Sequence, residues 1–363
     1  MSSSNLPGFM AATALVVSGV LLSRAGPVDP PTGPVASTYN TLTEVEPRIA
    51  ISPANTPGDE TCLFRITAPG SYYLTGGITG VTGKDGVRIE SGGVSIDLMG
   101  FTLAGSEDSG QAIRTVGAFG DIAVRHGTIT GWGEGGVILA TGGRGFVIED
   151  VRVSSCVGHG IDAGDAAIVR SCTAVYNSAY GIRVGQSGVV DACSAWNNGV
   201  GGIAISIGSV ARGSTAGANE GLGFNVEAGA TATECSAQGN QLDGFFATTS
   251  SVISRCSSSF NMMSGISVGA GSLILENACS ENGRSGSGAG VHAFAPYNRI
   301  EGNHVTNNPI GFDVAAGRSL LVKNYATGNG VNFNVSGSNI VGTIVTTEAQ
   351  MNAAANANVN VSF

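Results

Sequence analysis

Gly160-Ile161-Asp162-Ala163, Gly181-Ile182-Arg183-Val184, Gly202-Ile203-Ala204-Ile205, Gly223-Phe224-Asn225-Val226, Gly244-Phe245-Phe246-Ala247 and Gly265-Ile266-Ser267-Val268 open at one constant interval, each glycine twenty-one positions after the last. Twelve positions after each opening glycine stand Cys172, Cys193, Ser214, Cys235, Cys256 and Asn277, and five further on Asn177, Asn198, Asn219, Asn240, Asn261 and Asn282. Four residues are inserted before Gly290-Val291-His292-Ala293, and the same interval resumes at Gly311-Phe312-Asp313-Val314 and Asn332-Phe333-Asn334-Val335. A fixed period of this length marks stacked repeats. The glycine content and the period-two apolar alternation exclude a helical repeat. One such period holds three short strands and their bends, and strands of successive coils pair about 4.8 Å apart. Residues of one column then become stacked neighbours. Asparagine amides can bond along such a stack, and asparagine tolerates the left-handed backbone that a tight bend needs. Glycine at the strand start removes a Cβ that would crowd the bend.

Looser spacing carries the pattern upstream through Gly86-Val87-Arg88-Ile89, Ala112-Ile113-Arg114 and Gly136-Val137-Ile138. The chain therefore reads as an all-β, three-sheet parallel β-helix of about 11–12 coils over residues 61–342, a stack of roughly 50–60 Å. Residues 26–60 read as a Pro-rich linker and an N-terminal cap, and 343–363 as a C-terminal cap with a short helix over Thr347–Ala354 followed by Val359-Asn360-Val361. Phe9 to Leu22 is an apolar run, too short for the about 20 residues that span a bilayer. With Ser23-Arg24-Ala25 behind it, residues 1–25 read as a signal peptide, placing the mature chain outside the cell, in a periplasm or at a surface.

Composition supports a packed, low-charge solenoid. Of 363 residues 57 are glycine, 42% are hydrophobic and 12% charged. That excludes a disordered polar chain, and the glycines do not follow the collagen triplet. Seventeen basic and 26 acidic residues leave a net charge of −9, which argues against nucleic acid as a partner. The seven cysteines show no metal spacing, and their columns place them in the interior as free thiols. No cofactor or metal is implied.

The repeated Gly-Ile-x-Val strand, the asparagine column and the segment Val94-Ser95-Ile96-Asp97-Leu98 with Gly100 resemble the right-handed parallel β-helix, or pectin-lyase-like, family. The resemblance covers roughly residues 62–342. It implies a right-handed coil and a binding face on the Gly-Ile-x-Val sheet. Relatives in this family cleave or epimerise acidic polysaccharides, or serve as adhesins. The expected partner is a polysaccharide or cell-surface glycan, which the protein binds and cleaves or epimerises; the alternative is a non-catalytic adhesive solenoid.

Within Gly-Ile-x-Val, x faces outward. Asp162 and Asp313 are the carboxylates of that column, seven coils and roughly 33 Å apart. Glycosidase carboxylates work about 5–10 Å apart, so a second acid would have to come from the turns. Two groups remain. Glu134, His159, Asp162 and Arg183, with Trp132 and Tyr180 nearby, offer acid, imidazole, guanidinium and aromatic rings that could bind and protonate an acidic sugar. His292 and Asp313 are column neighbours beside the inserted Arg284-Ser285-Gly286-Ser287-Gly288, with Phe294 facing the same way; the pair could form a base and its orienter. Asn225 and Phe246 complete the expected binding residues.

Overall fold

The computed structural model describes residues 48–354 and 358–363; the signal-peptide segment and residues 26–47 of the linker lie outside them. The described chain is a parallel β-solenoid. Strands Cys62–Ile66, Asp85–Ile89, Gln111–Thr115 and their successors to Val331–Val335 pair in order in a 13-stranded sheet, about 58 Å from first strand to last. The two other faces merge into one sheet of 26 strands, because Ile122–Thr130 and Val147–Ser154 run unbroken around the corner between them. Thirteen coils exceed the expected 11–12. The additional one starts at Cys62-Leu63-Phe64-Arg65-Ile66, which pairs Arg65 with Arg88 but lacks the Gly-Ile-x-Val signature. At the far end, the helix Glu348–Ala353 starts at Thr347, whose side chain accepts from Gln350 N. Asn360–Ser362 then pairs with Tyr325 and Ala326. No helix among the described residues is long and apolar enough to cross a membrane.

The register places Ile161, Ile182, Ile203, Phe224, Phe245 and Ile266 in one interior column, each fully buried. Interior rings stack: Phe224 on Phe245 with centroids 4.7 Å apart, and Phe312 on Phe333 at 5.0 Å.

The asparagines form a buried amide ladder. From Asn177 to Asn308 each Nδ2 donates to Oδ1 of the asparagine one coil on, at 2.8–3.2 Å. The backbone N–H of the same residue donates to that oxygen as well, as Asn240 does to Asn261 at 2.9 Å. A second amide hydrogen reaches a carbonyl behind it, Asn240 to Ala216 O at 3.2 Å. The amide thus meets the hydrogen-bonding demand of a buried corner, where an unpaired backbone group costs about 1–3 kcal/mol.

One expectation about the bend changes and one is borne out. The left-handed backbone belongs to the residue before each asparagine, with φ +57° at Tyr176, +55° at Asn197, +50° at Ala218 and +58° at Phe260. The opening glycine is required by space: a Cβ on Gly160 would lie 2.6 Å from Gly181 O and 2.8 Å from Asn177 Nδ2.

The cysteine column does similar work with sulfur. Cys172 N donates to Cys193 Sγ at 3.4 Å, Cys193 N to Ser214 Oγ at 3.1 Å, Cys235 N to Cys256 Sγ at 3.5 Å and Cys256 N to Asn277 Oδ1 at 2.9 Å. All seven cysteines are buried and unpaired. Burial pushes the thiols of Cys156 and Cys279 up to about 11 and about 12, so they stay protonated and unreactive at neutral pH.

Candidate functional site

The outward column of the 13-stranded sheet runs through Ile138, Asp162, Arg183, Ala204, Asn225 and Phe246, then Ser267, His292, Asp313 and Asn334. Arg65, Arg88 and Arg114 precede Ile138 in this column; from Ile138 onward, polar chemistry concentrates at the two ends of the stretch.

At the first end, the coil beginning at Gly136 carries three residues more than the regular coils that follow it. They fall in the stretch 140–146, against four turn residues at 185–188 in the next regular coil. The strand Gly135–Arg144 consequently breaks register between Leu139 and Arg144, where it pairs with Asp165. This irregular stretch helps enclose a cavity of about 480 Å³, lined among others by Gly142, Asp162, Asp165, Arg183 and Gln186. Arg183 Nη1 lies 3.7 Å from Asp162 Oδ2. Burial pushes the Asp162 carboxyl above its ordinary value, against the pull of Arg183 and His159. Asp165 Oδ1 accepts from Gln186 N at 2.9 Å, which fixes a second carboxylate on the same cavity.

Tyr180 N donates to His159 Nδ1 at 3.2 Å, and the two rings stack with centroids 6.1 Å apart. A ring nitrogen that accepts a hydrogen bond carries no proton, so the neutral imidazole holds its proton on Nε2. Burial pushes the His159 pKa below its ordinary value, outweighing the nearby Asp162. The ring is therefore neutral at physiological pH and offers an N–H donor.

Two residues expected here stand apart. Glu134 is exposed on the turn before its strand, and its side chain forms no hydrogen bond or ion pair among the described residues. Trp132 is fully buried, with Nε1 donating to Leu103 O at 3.1 Å. It lies in the core under Gly80, Gly86 and Gly105 and cannot meet a glycan. Asp165, which the sequence reading missed, ends the strand His159–Asp165 and is a second carboxylate on the cavity.

At the second end, His292 Nε2 lies 3.7 Å from Asp313 Oδ2, and Asn334 Nδ2 donates to Asp313 Oδ1 at 2.8 Å. Phe246 and Phe294 stack with centroids 5.9 Å apart and planes 11° apart, and the His292 ring is tilted against Phe294 at 5.8 Å. Another missed carboxylate belongs here. Asp243 Oδ1 accepts from Ser264 N at 2.8 Å, and burial raises its pKa despite bonding to Ser267 and the attraction of His292. Ser267, His292 and Asp313 are consecutive in the column. Ser267 nevertheless has only 3% of its surface exposed and its hydroxyl bonds to Asp243, so it is not placed as a nucleophile. Asn225 lies between the two ends, one coil before Phe246. No group of three or more metal-ligating side chains occurs among the described residues.

With the coil and its faces in place, residues 78–216 match the family model described as right handed beta helix region. The described chain has the fold of a right-handed parallel β-helix, and the matched stretch lies within it. Among solved structures, this β-helix protein is similar to the A-module of mannuronan C-5 epimerase AlgE4 of Azotobacter vinelandii, with TM-score 0.64 and 19% identity over 76% of this chain and 91% of that one. The A-module of AlgE6 from the same organism gives TM-score 0.57 and 19% identity over 82% and 91%. The periplasmic alginate epimerase AlgG gives 0.51 and 12% over 77% and 76%. At these identities the likeness is one of fold. No curated protein matches the β-helix chain in sequence.

Proposed function

We propose that the protein binds an acidic polysaccharide across the sheet at Asp162 and Arg183 and catalyses proton transfer next to a sugar carboxylate, giving epimerisation or eliminative cleavage. The supporting observation is the convergence of Asp162, Arg183 and His159 beside a walled cavity. Arg183 supplies the positive charge that a uronate carboxylate requires. An Asp162 carboxyl biased toward its protonated form can donate to that carboxylate and reduce the charge that opposes removal of the adjacent proton, which the Asp165 carboxylate on the same cavity would accept. His159 Nε2–H is a neutral donor for a ring or bridging oxygen, and Tyr180, stacked on it, brings a phenol to the same edge. The fold neighbours named as mannuronan and alginate epimerases are consistent with such a substrate. Like the periplasmic alginate epimerase AlgG, the protein would meet its polymer outside the cytoplasm, in keeping with the signal-peptide reading of residues 1–25.

Mannuronan, polygalacturonate and a neutral glucan should be incubated with the purified protein, following epimer ratio by proton NMR and unsaturated ends by ultraviolet absorbance. Turnover of a polyuronate that falls at least about 100-fold in Asp162→Asn, the range expected for a lost proton-transfer group, supports the reading. Turnover unaffected by Asp162→Asn and Arg183→Ala, or no change in any polyuronate, would remove it and leave the adhesive alternative.

A further inference from the structure

The strict repeat is broken twice around one coil. Gly265 and Gly290 are separated by four positions more than the regular interval, and the additional residues form the turn around Arg284–Gly288, closed by Gly286 N to Gly283 O at 2.9 Å. On the other side of the same strand, Phe294–Asn298 separates Ala289–Ala293 from Arg299–Glu301 with five residues, where the coil at Tyr180–Val184 uses the four of Gly185–Gly188. The strand between these two longer turns bears His292 and leads into Phe294. In solenoids such departures fall on the binding face.

The side chains between those turns have an uneven chemistry. Phe294 is 42% exposed. Phe246 covers one side of its ring, and the next residue in its column is the small Ala315, paired through Ala315 N to Ala293 O. Among the described residues Phe246 is the ring stacked on Phe294; the His292 ring is tilted against it, and Asp313 and Asn334 follow His292 in the outward column. That pair leaves carboxylate lone pairs, an amide carbonyl and an N–H without partners among the described residues, the mixture of donors and acceptors that vicinal hydroxyls need. From Ala204 to Asn334 the outward column carries no arginine or lysine, and Asp313 is its carboxylate. The nearby Arg318 is engaged with the Tyr297 hydroxyl at 3.1 Å on the longer turns.

We propose that the exposed ring of Phe294, together with Asp313 and Asn334, is a second carbohydrate site that takes an uncharged hexopyranose ring. The sugar's apolar face lies on the phenyl group, its hydroxyls meet Asp313 and Asn334, and the Asp313 carboxylate turns away a uronate. This assignment stands apart from the proton-transfer reading, since Phe294 is six coils from Asp162, about 29 Å along the sheet.

Titration calorimetry with cellohexaose, maltohexaose and mannohexaose, alongside hexamannuronate, tests it. At least one neutral hexamer should bind, with affinity falling tenfold or more in Phe294→Ala and in Asn334→Ala, retained in Phe294→Tyr and unchanged in Asp162→Asn. Hexamannuronate binding should respond to Arg183→Ala and be indifferent to Phe294→Ala. Melting curves confirm that each variant folds; were Phe294→Ala to unfold, Asn334→Ala carries the test. Failure of all three neutral hexamers to bind, binding that survives both substitutions, or displacement of the neutral hexamer by hexamannuronate would overturn the assignment.

Discussion

The coils from Gly160 to Gly265 and the coils on either side of them obey different rules. Inside that stretch every coil has the same length, the amide ladder is continuous, and the outward column is small or weakly polar at Ala204 and Asn225. At its borders the coil grows, by three positions at Gly136 and by four before Gly290, and the clustered titratable and aromatic side chains occur there. A regular coil leaves its turns short and its sheet flat. Surplus residues raise a wall, and the carboxyls whose proton affinity burial raises, Asp162 and Asp243, stand near these borders. Regularity serves the stack, and irregularity serves the surface.

The largest expected effect breaks the comparison at the first border. Deleting residues 141–143 would return that coil to the regular length and remove part of the wall. Polyuronate turnover should drop by at least about 100-fold, as for loss of a positioned proton-transfer group, while circular dichroism and the melting temperature stay near those of the parent. Retained turnover would show that the wall is dispensable.

A second intervention targets the regular stretch. Asn240→Ala removes an acceptor for Asn219 N and Nδ2 and a donor to Asn261 Oδ1 and Ala216 O. With each orphaned buried group costing about 1–3 kcal/mol, urea unfolding should show a loss of roughly 3 kcal/mol or more. Asn225→Ala, on the outer surface of the same coils, should change stability by less than about 0.5 kcal/mol. Similar costs for the two would contradict the ladder's role.

A smaller effect distinguishes the borders by pH. Because burial raises the Asp243 pKa, the protonated carboxyl favours the folded state. That contribution is full below the ordinary carboxylate range and is lost as pH rises through the folded-state value. Asp243→Asn keeps an oxygen for Ser264 N and cannot ionise, so it should melt higher than the parent at pH 8, with the difference shrinking toward pH 3. Melting curves at the two pH values check this. The smallest effect concerns exposed ion pairs: Arg212→Ala, which breaks the pair with Asp191 at 2.9 Å, should cost at most about 1 kcal/mol.

The sequence exposes the stack because stacking repeats the same environment every coil. The inward isoleucines and phenylalanines, the free cysteines and the asparagine ladder all follow from the one interval. Column arithmetic also holds the answer for Trp132, which its residue type alone suggests as a binding residue. Trp132 precedes Cys156 by the length of the enlarged coil, and Cys156 precedes Asn177 by one regular interval, so all three share an inward ladder position. The first coil is hidden because Leu63-Phe64-Arg65-Ile66 substitutes bulk for the opening glycine. Asp243 occupies the position of His159 and Tyr180 in its own coil and is equally visible by register. Asp165 is not, because its place opposite Arg144 follows from the register break that the surplus residues of 140–146 introduce, and no periodicity constrains that stretch.

Every rung of the amide ladder bonds to its neighbour in the same way, so one regular coil is interchangeable with the next. Removing residues 202–222 would bring Asn198 against Asn240 and close the stack again. The distance between the borders is therefore quantised in steps of about 4.8 Å. The protein is a ruler, and shortening or lengthening it by whole coils would reset the span that a single polymer must bridge to touch both ends at once.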